Sequence, residues 1–272
     1  MTLRFAENPI SRYIACTPLA LALERGLECL VLAKQQFQAP VLDIGCGDGL
    51  FASILFADKI DTGIDPNSSE IACAAKTGAY NELLCCFGSE IPKSSGTYRT
   101  VLSNSVLEHI PHLTPVLREV HRLLEPGGSF FFTVPTDEFE QHALIHRVLL
   151  GLRLTDLAAR FRKWYNRFWR HFHAYSPSDW KKLAEDAGFE VVQIARYNPP
   201  HMTTRNDCLA PVGALASILK RITGRWVLWP KLRAVLFAPI AHRIERDFAE
   251  KGVSDEGSLV LLQARKVLKI TP

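Results

Sequence analysis

The segment PVLDIGCGDGLFA, residues 40–52, constrains the fold of this chain more than any other stretch. A short, mostly apolar run is followed by glycines at alternate positions and then by a helical pattern of apolar residues. Glycine permits a tight turn and lets a ligand approach bare backbone. We therefore predict a strand, a ligand-binding turn at Gly45, Gly47 and Gly49, and a helix.

Apolar runs and helical patterns alternate along much of the remaining chain. This alternation predicts an α/β fold with a parallel sheet and helices on both faces. Because a sheet with insertions can occupy all 272 residues, we expect a single domain. The predicted strands are residues 41–44, 62–64, 83–87, 100–102, 130–134, 190–197 and 258–266.

Capping signals predict where several helices begin and end. Thr17 before a proline predicts a helix over about residues 17–36. Asn67, with a glutamate three positions later, predicts the start of a helix that ends at Gly78. Ser176 before a proline predicts another helix start, after the fifth strand.

Composition and charge exclude several classes of protein. The content of 47% hydrophobic and 22% charged residues is that of a globular protein, and a net charge of +4 does not require a polyanionic partner. The seven cysteines have no C-x-x-C spacing, which is typical of reduced thiols. The first residues lack a signal-peptide pattern, and Glu24, Arg25 and Glu28 interrupt the next apolar stretch. We expect a cytoplasmic protein without a membrane span.

The residues around the glycine turn distinguish two classes of cofactor. A dinucleotide turn has glycine or alanine at the sixth position of G-x-G-x-x-G, where this chain has Leu50. Asp43 and Asp48 would also repel a diphosphate. A cationic ligand carrying a ribose fits better, because Asp65 ends the second strand and can accept hydrogen bonds from two hydroxyls. S-adenosylmethionine has this shape, whereas a turn without a ligand would not explain acidic residues at consecutive strand ends.

Longer motifs extend this interpretation into a family resemblance. The chain contains VLDIGCGDG, then GID at residues 63–65, then VLSNSVLEHI and LREVHRLLEPGGSFFFTVP. These motifs resemble class I S-adenosylmethionine-dependent methyltransferases, particularly the ubiquinone- and menaquinone-biosynthesis type, closely over residues 38–136. YSPSDWKKLAEDAGFEVV resembles a later helix and strand of the family. The resemblance implies a Rossmann-like, mostly parallel, seven-stranded sheet whose last strand, residues 258–266, is antiparallel.

The resemblance also implies which residues hold the cofactor. Asp43 and residues 45–49 would hold its amino acid part, and Asp65 its ribose. An acidic residue after the third strand contacts the adenine in many members, and here either Ser89 or Glu90 takes that position. The predicted cofactor-binding residues are Asp43, Gly45, Cys46, Gly47, Gly49, Asp65, Pro66, Gly88, Ser89, Glu90, Asn104 and Ser105.

The end of the fourth strand faces the expected position of the methyl acceptor. Its sequence, Ser103-Asn104-Ser105, lacks the motif of adenine N-methylases, and no Pro-Cys dipeptide indicates cytosine C5-methylation. Because no acidic cluster ends this strand, we predict no metal site. His109, four residues after Ser105, is the predicted general base. An equally weighted alternative is that Glu108 and His109 only fix this segment.

Two insertions, about residues 136–175 and 198–256, are predicted to form a lid over the site. In residues 160–175, basic and aromatic residues interleave. An amphipathic helix with a basic solvent face is the favoured interpretation, ahead of a pocket rim for a small molecule and a nucleic-acid grip. Side chains of this insertion that could reach a substrate are His142, His146, His171, His173 and Tyr175.

Residues 218–246, in the second insertion, combine apolar and basic side chains. We favour a pair of lid helices packed on the domain, and keep peripheral membrane contact as an alternative. Both interpretations favour a lipophilic acceptor. The residues concerned are Trp226, Trp229, Leu232, Val235, Leu236 and Phe237, with Lys220, Arg221, Arg225, Lys231, Arg233, Arg243 and Arg246.

The predicted function is S-adenosylmethionine-dependent methyl transfer to a small or lipophilic acceptor, at oxygen or nitrogen. Nucleic acid is not the expected partner. The alternatives are an RNA methyltransferase, a non-catalytic cofactor-binding protein and a nucleotide-dependent oxidoreductase. Within the single domain, we expect residues 1–37 to form a helical lead-in and residues 38–135 to form the cofactor-binding core.

Overall fold

The computed structural model describes residues 1–223 and 226–267. Within them, seven strands form one sheet in the order β3-β2-β1-β4-β5-β7-β6. Only β7 runs antiparallel to its neighbours, β5 and β6, which confirms the predicted sheet. The strands are β1 Val41–Ile44, β2 Ile60–Ile64, β3 Tyr80–Leu84, β4 Tyr98–Asn104, β5 Leu124–Pro135, β6 Phe189–Tyr197 and β7 Leu259–Lys266.

Helices cover both faces of this sheet. The described helices are α1 Pro9–Cys16, α2 Leu19–Leu32, α3 Leu50–Leu55, α4 Ser68–Thr77, α5 Leu113–Leu123, α6 Leu144–Gly151, α7 Thr155–Trp169, α8 Pro177–Asp186, α9 Pro200–Thr223 and α10 Pro230–Lys251. A short 3₁₀ turn at Leu107–His109 follows β4. The sheet separates two apolar cores, because successive side chains of a strand point to opposite faces. Val41 and Phe131 belong to one core, and Leu42 and Phe130 belong to the other.

The strand order brings the predicted site residues to one edge. β1 lies between β2 and β4, and Asp43 of β1 aligns with Gly63 and Leu102 of those strands. The chain crosses to opposite sides of β1 at this point, and ligands of open α/β sheets bind at such a switch point. The sheet topology therefore places the glycine turn and the end of β4 side by side.

Local capping signals were confirmed at α4 and α8. Asn67 caps α4 by accepting a hydrogen bond from the backbone N–H of Ser69, and Gly78 ends that helix with a φ of 68°. Ser176 caps α8 by accepting from the backbone N–H of Asp179. These signals are reliable because the cap satisfies backbone groups within the same few residues.

The predicted helix over residues 17–36 was wrong in detail. The Thr17 hydroxyl donates to the Tyr13 carbonyl, so it belongs to the end of α1, a helix that the pattern missed. α2 begins at Leu19 and ends at Leu32. Pro18, which has no backbone N–H, separates the two helices.

The third strand was also displaced from its predicted position. Residues 83–87 were predicted, but β3 spans Tyr80–Leu84. Phe87 is 68% exposed and lies in the loop after the strand. β3 is an edge strand, so its apolar residues are not required to face a core on both sides, and an apolar run marks its position poorly.

Both insertions are helical, and they pack on the rest of the chain to different extents. α9 packs on α2, and α10 packs on α1. Pro230 begins α10, whereas Pro239 lies inside that helix. Residues 136–175 contain α6 and α7, which pack on each other.

Candidate active site

A cavity of about 270 Å³ lies at the carboxyl ends of β1 and β4. Its walls come from the glycine turn, the end of β4, and helices α1, α2 and α3. Lys220 and Trp226 of the second insertion also line it, with the Lys220 ammonium 4.4 Å from the centre of the Trp226 ring. Six predicted cofactor-binding residues line this cavity: Asp43, Gly45, Cys46, Gly47, Asn104 and Ser105.

The glycine turn needs glycine for different physical reasons at different positions. Gly45, Gly47 and Gly49 all have left-handed φ values, of 75°, 52° and 74°. A Cβ on Gly45 would lie 2.5 Å from a methyl of Val106, whereas one on Gly47 would meet no atom within 4 Å. Gly47 therefore presents bare backbone to open space, as a ligand-binding turn requires. Gly49 instead allows α3 to approach Ala74 of α4.

Asp43 is buried at the floor of the cavity. The Tyr80 hydroxyl donates a hydrogen bond of 2.6 Å to its Oδ2. Burial raises the pKa of Asp43 to about 6, against the opposing effect of the Tyr80 hydrogen bond. A cationic ligand beside Asp43 would favour the charged carboxylate, so the site is electrostatically suited to a cation.

The predicted ribose and adenine residues lie beyond this cavity. The Asp65 carboxylate accepts the backbone N–H of Gly47 at 3.1 Å and that of Asn67 at 2.8 Å, which fixes its orientation after β2. Ser89 is half-buried and Glu90 is exposed. The cavity lining does not include Gly49, Asp65, Pro66, Gly88, Ser89 or Glu90.

Sequence reasoning missed a charged network from α2 at the cavity wall. Arg25 lines the cavity and donates a 2.7 Å hydrogen bond to Glu28, which is buried. Glu28 also accepts hydrogen bonds from Asn104 and Ser105. The sequence signal for this network is the presence of charged residues in an apolar stretch, the same feature that argues against a membrane span.

His109 lies one turn beyond the cavity and does not line it. Its Nδ1 lies 3.2 Å from the Arg170 carbonyl, which can only accept, so Nδ1 carries the proton. The unprotonated Nε2 lies 3.9 Å from a carboxyl oxygen of Glu108. Burial lowers the pKa of His109 and therefore favours the neutral ring. The Phe172 backbone N–H donates to the Glu108 carbonyl at 2.8 Å, so the first insertion holds this turn in place.

Glu108, His109 and His171 form a compact cluster. Each offers a ligand atom, and these atoms all lie within 4.8 Å of one another, an arrangement that could hold a metal ion. Burial raises the pKa of Glu108 to about 8 and lowers that of His171 to about 4, so all three side chains are neutral near pH 7. The absence of a metal remains a prediction from the sequence.

The other aromatic and histidine side chains of the first insertion have structural contacts. His146 is buried and lies 3.1 Å from the Gln141 carbonyl. His142 lies beside Glu138. His173 contacts the Ile110 carbonyl at 2.9 Å and stacks on Tyr175. Of the histidines proposed for this insertion, His171 is the one brought into contact with His109, with ring centres 5.3 Å apart.

The solvent face of α7 carries the predicted basic side chains together with exposed aromatic ones. Trp164 is 55% exposed and Phe168 is 60% exposed, and the two rings stack on each other. Arg160, Lys163 and Arg167 are exposed on the same helix. Only Ala158 of α7 is fully buried, so most of this helix faces solvent. Apolar and basic side chains share that exposed surface.

Solved structures share this fold. An S-adenosylmethionine-dependent methyltransferase from Thermotoga maritima matches with a TM-score of 0.54 and 16% identity over 91% of each chain. A geranyl diphosphate C-methyltransferase from Streptomyces coelicolor A3(2) matches with a TM-score of 0.54 and 14% identity, over 89% of this chain and 79% of that one. A [4+2]-cyclase matches with a TM-score of 0.56 and 17% identity, over 91% of this chain and 82% of that one. At these identities the likeness establishes the fold alone.

Sequence relatives are closer. The mouse mitochondrial ubiquinone biosynthesis O-methyltransferase is 26% identical over 170 residues, 58% of this chain but 44% of that protein. A ubiquinone biosynthesis O-methyltransferase from Pseudomonas paraeruginosa is 29% identical over 180 residues, 61% of this chain and 73% of that protein. The matched region thus spans less than half of the mouse protein. A family model described as a methyltransferase domain matches residues 19–194. The chain therefore belongs to the methyltransferase-domain family, and its cofactor is S-adenosylmethionine.

Proposed function

We propose that this chain methylates a hydroxyl oxygen of a small, lipophilic acceptor of the quinone-precursor class. The observation that carries the proposal is the cavity at the glycine turn, whose wall at Val106 continues directly into the 3₁₀ turn ending at His109. A methyl donor held by the turn would place its reacting end toward this segment. The relatives named ubiquinone biosynthesis O-methyltransferases support oxygen as the acceptor atom and a quinone-type ring as its carrier.

The residues of the cavity would hold S-adenosylmethionine by charge and by bare backbone. Asp43 would attract the ammonium group of the methionine part, and the Arg25 guanidinium would pair with its carboxylate. Gly47 would allow close approach, and Asp65, already oriented by two backbone N–H groups, would accept the ribose hydroxyls. When bound, the cofactor supplies a methyl group on a positively charged sulfur.

His109 would remove the proton of the acceptor hydroxyl. Its Nδ1–H is held by the Arg170 carbonyl, so its Nε2 carries the lone pair that a base needs. The lowered pKa keeps the ring unprotonated at neutral pH. The protein would otherwise contribute positioning, because the chemistry is an in-line displacement at an activated carbon.

A lipophilic acceptor is supported by the apolar surface of the second insertion. Phe237 packs against the core, but other large apolar residues of residues 218–246 are exposed. The favoured prediction that the apolar faces pack on the domain thus holds for only part of this segment. The exposed residues are Ile218, Ile222, Leu228, Trp229, Leu232, Val235, Leu236 and Ile240.

Peripheral membrane contact through residues 218–246 is the stronger form of this proposal. Among the described helices, none is long and apolar enough to span a bilayer. Exposed Lys220, Arg221 and Lys231 accompany the apolar residues, a combination suited to an anionic interface. Arg225, also part of the predicted surface, lies outside the described residues. Sedimentation with anionic liposomes should decrease with salt, and no sedimentation at any salt would eliminate this contact.

We also propose that the chain acts as a single unit. Residues 38–135 would hold the cofactor, with residues 1–37 packed beside them. The insertions, residues 136–175 and 198–256, would enclose the acceptor, as Lys220 and Trp226 at the cavity wall suggest.

A screen with radiolabelled methyl donor tests the proposed reaction. Lipophilic phenols, hydrophilic phenols, amines and total RNA are offered in parallel to the wild-type chain. Label on lipophilic phenols, lost on His109→Ala, is the expected result. Label confined to amines or RNA would replace the proposed acceptor. Binding of S-adenosylhomocysteine without any transfer would favour a non-catalytic cofactor-binding protein.

A further inference from the structure

Glu28 is unusual because it is a carboxylate that is completely buried. It lies on α2 with none of its surface exposed, between that helix and the carboxyl end of β4. Its Oε2 accepts the Arg25 Nη1–H at 2.7 Å and the Asn104 Nδ2–H at 2.8 Å. Its Oε1 accepts the Ser105 hydroxyl at 2.8 Å. One carboxylate therefore joins a donor from α2, one from the last residue of β4 and one from the residue that follows it.

All three donors line the cofactor cavity. Arg25, Asn104 and Ser105 belong to its wall, whereas Glu28 stands behind them. The Asn104 amide is fixed at both ends, because its Oδ1 accepts the Thr133 hydroxyl at 2.8 Å. Ser105 has a left-handed φ of 52°, which is uncommon for a residue with a Cβ. The contact with Glu28 helps to hold this backbone where the cavity needs it.

Stability alone explains such a carboxylate poorly. Burying an ion pair costs about as much desolvation as the pair gains, and apolar residues often replace it without loss. Glu28 neighbours Leu27 and Cys29, both buried, so an apolar side chain would suit the surroundings. The directed contacts with cavity residues indicate a role in the site.

We propose that Glu28 is a positioning residue for the methionine end of the cofactor. It holds the Arg25 guanidinium by one N–H, so that the other N–H groups of this 27%-exposed side chain meet the cofactor's carboxylate. It also fixes Asn104 and Ser105 beside that end. This inference rests on the proposed pairing of Arg25 with the cofactor's carboxylate.

Two ligands separate this role from a general contribution to folding. S-adenosylhomocysteine carries the amino acid part, whereas 5′-methylthioadenosine shares the nucleoside and sulfur but lacks the amino and carboxyl groups. In Glu28→Gln, calorimetry should show at least about a tenfold weaker affinity for S-adenosylhomocysteine, the scale of a charge-assisted hydrogen bond. The affinity for 5′-methylthioadenosine should change by less than about twofold. Glu24→Gln makes the same substitution one turn earlier on α2 and serves as the matched control.

Arg25→Gln provides a second variant, at a side chain that is itself 27% exposed. It should show the same selective loss, and the double variant should lose little more than either single one. Equal losses for both ligands, no loss in either single variant, or fully additive losses would overturn the role of Glu28. A wild-type chain that binds neither ligand would instead overturn the cofactor site, and the inference with it.

Discussion

The sheet around the glycine turn and the two helical insertions differ in how fully their large apolar side chains are buried. Phe130 and Phe131 of β5 are at most 1% exposed, on opposite faces of the sheet. Trp164 of α7 is 55% exposed and Trp229, which precedes α10, is 70% exposed. The sheet is thus fixed by close packing, whereas the insertions leave large apolar side chains uncovered. Most residues lining the cavity at the glycine turn come from the sheet and its first helices, and Lys220 and Trp226 come from the second insertion.

The two insertions also contribute differently to the site. The second provides Lys220 and Trp226 to the cavity at the glycine turn. The first provides the Arg170 carbonyl and the His171 ring to the turn of His109. His109 therefore lies where the sheet and the first insertion meet, so substituting it tests the comparison most directly.

The largest expected effect is on the chemical step. His109→Ala should lower the maximal rate by about 10²–10⁴-fold, because a positioned base is removed. Affinity for S-adenosylhomocysteine should stay unchanged, since His109 does not line the cavity. Steady-state kinetics and calorimetry measure the two quantities, with His112→Ala in the neighbouring exposed position as control. A change in affinity alone would place His109 among the binding residues.

A direct comparison of the two regions uses one aromatic residue from each. Phe131→Ala should reduce the free energy of unfolding by about 3–5 kcal/mol, because it leaves a cavity in a packed core. Trp164→Ser should change it by less than about 0.5 kcal/mol, as is usual for surface positions. Urea denaturation measures both. A large loss for Trp164→Ser would mean that α7 is covered in solution.

Cofactor affinity should depend on residues at the carboxyl edge of the sheet. Asp65→Ala should weaken S-adenosylhomocysteine binding by about 1.5–3 kcal/mol, the scale of hydrogen bonds to a charged group. Gly47→Val should also block binding, because it adds bulk where the backbone faces open space at a φ of 52°. If calorimetry finds near wild-type affinity in both variants, the glycine turn and Asp65 are not part of the cofactor site.

A further expected effect is a dependence of stability on pH at Glu108. Burial raises the pKa of Glu108 to about 8 from an ordinary value of 4.5, so its contribution to stability is present below pH 4.5 and is lost as pH rises through 8. Glu108→Gln cannot ionise, so its free energy of unfolding relative to the wild type should increase progressively as pH rises from 4.5 to 8. Thermal unfolding across this range gives the difference. A difference independent of pH would mean that Glu108 is ionised throughout.

Much of the cofactor region was predictable because its signals are local. The glycine turn, the caps Asn67 and Ser176, and the acidic ends of β1 and β2 each depend on a few adjacent residues. Backbone conformation and strand alternation are decided at that range, so sequence reveals them. The edge strand β3 was misplaced because an edge imposes a weaker pattern.

Tertiary structure decided the rest. Glu28 and Ser105 are far apart in sequence, and only the docking of α2 on the end of β4 brings them within 2.8 Å. The same is true of His171 and His109, which meet because the first insertion folds back on the 3₁₀ turn. Which faces of α7 and α10 are covered depends on what packs against them, and an amphipathic pattern does not encode its partner. The sequence by itself determined the sheet and its glycine turn, because their signals are local, whereas long-range packing determined which side chains meet around that turn.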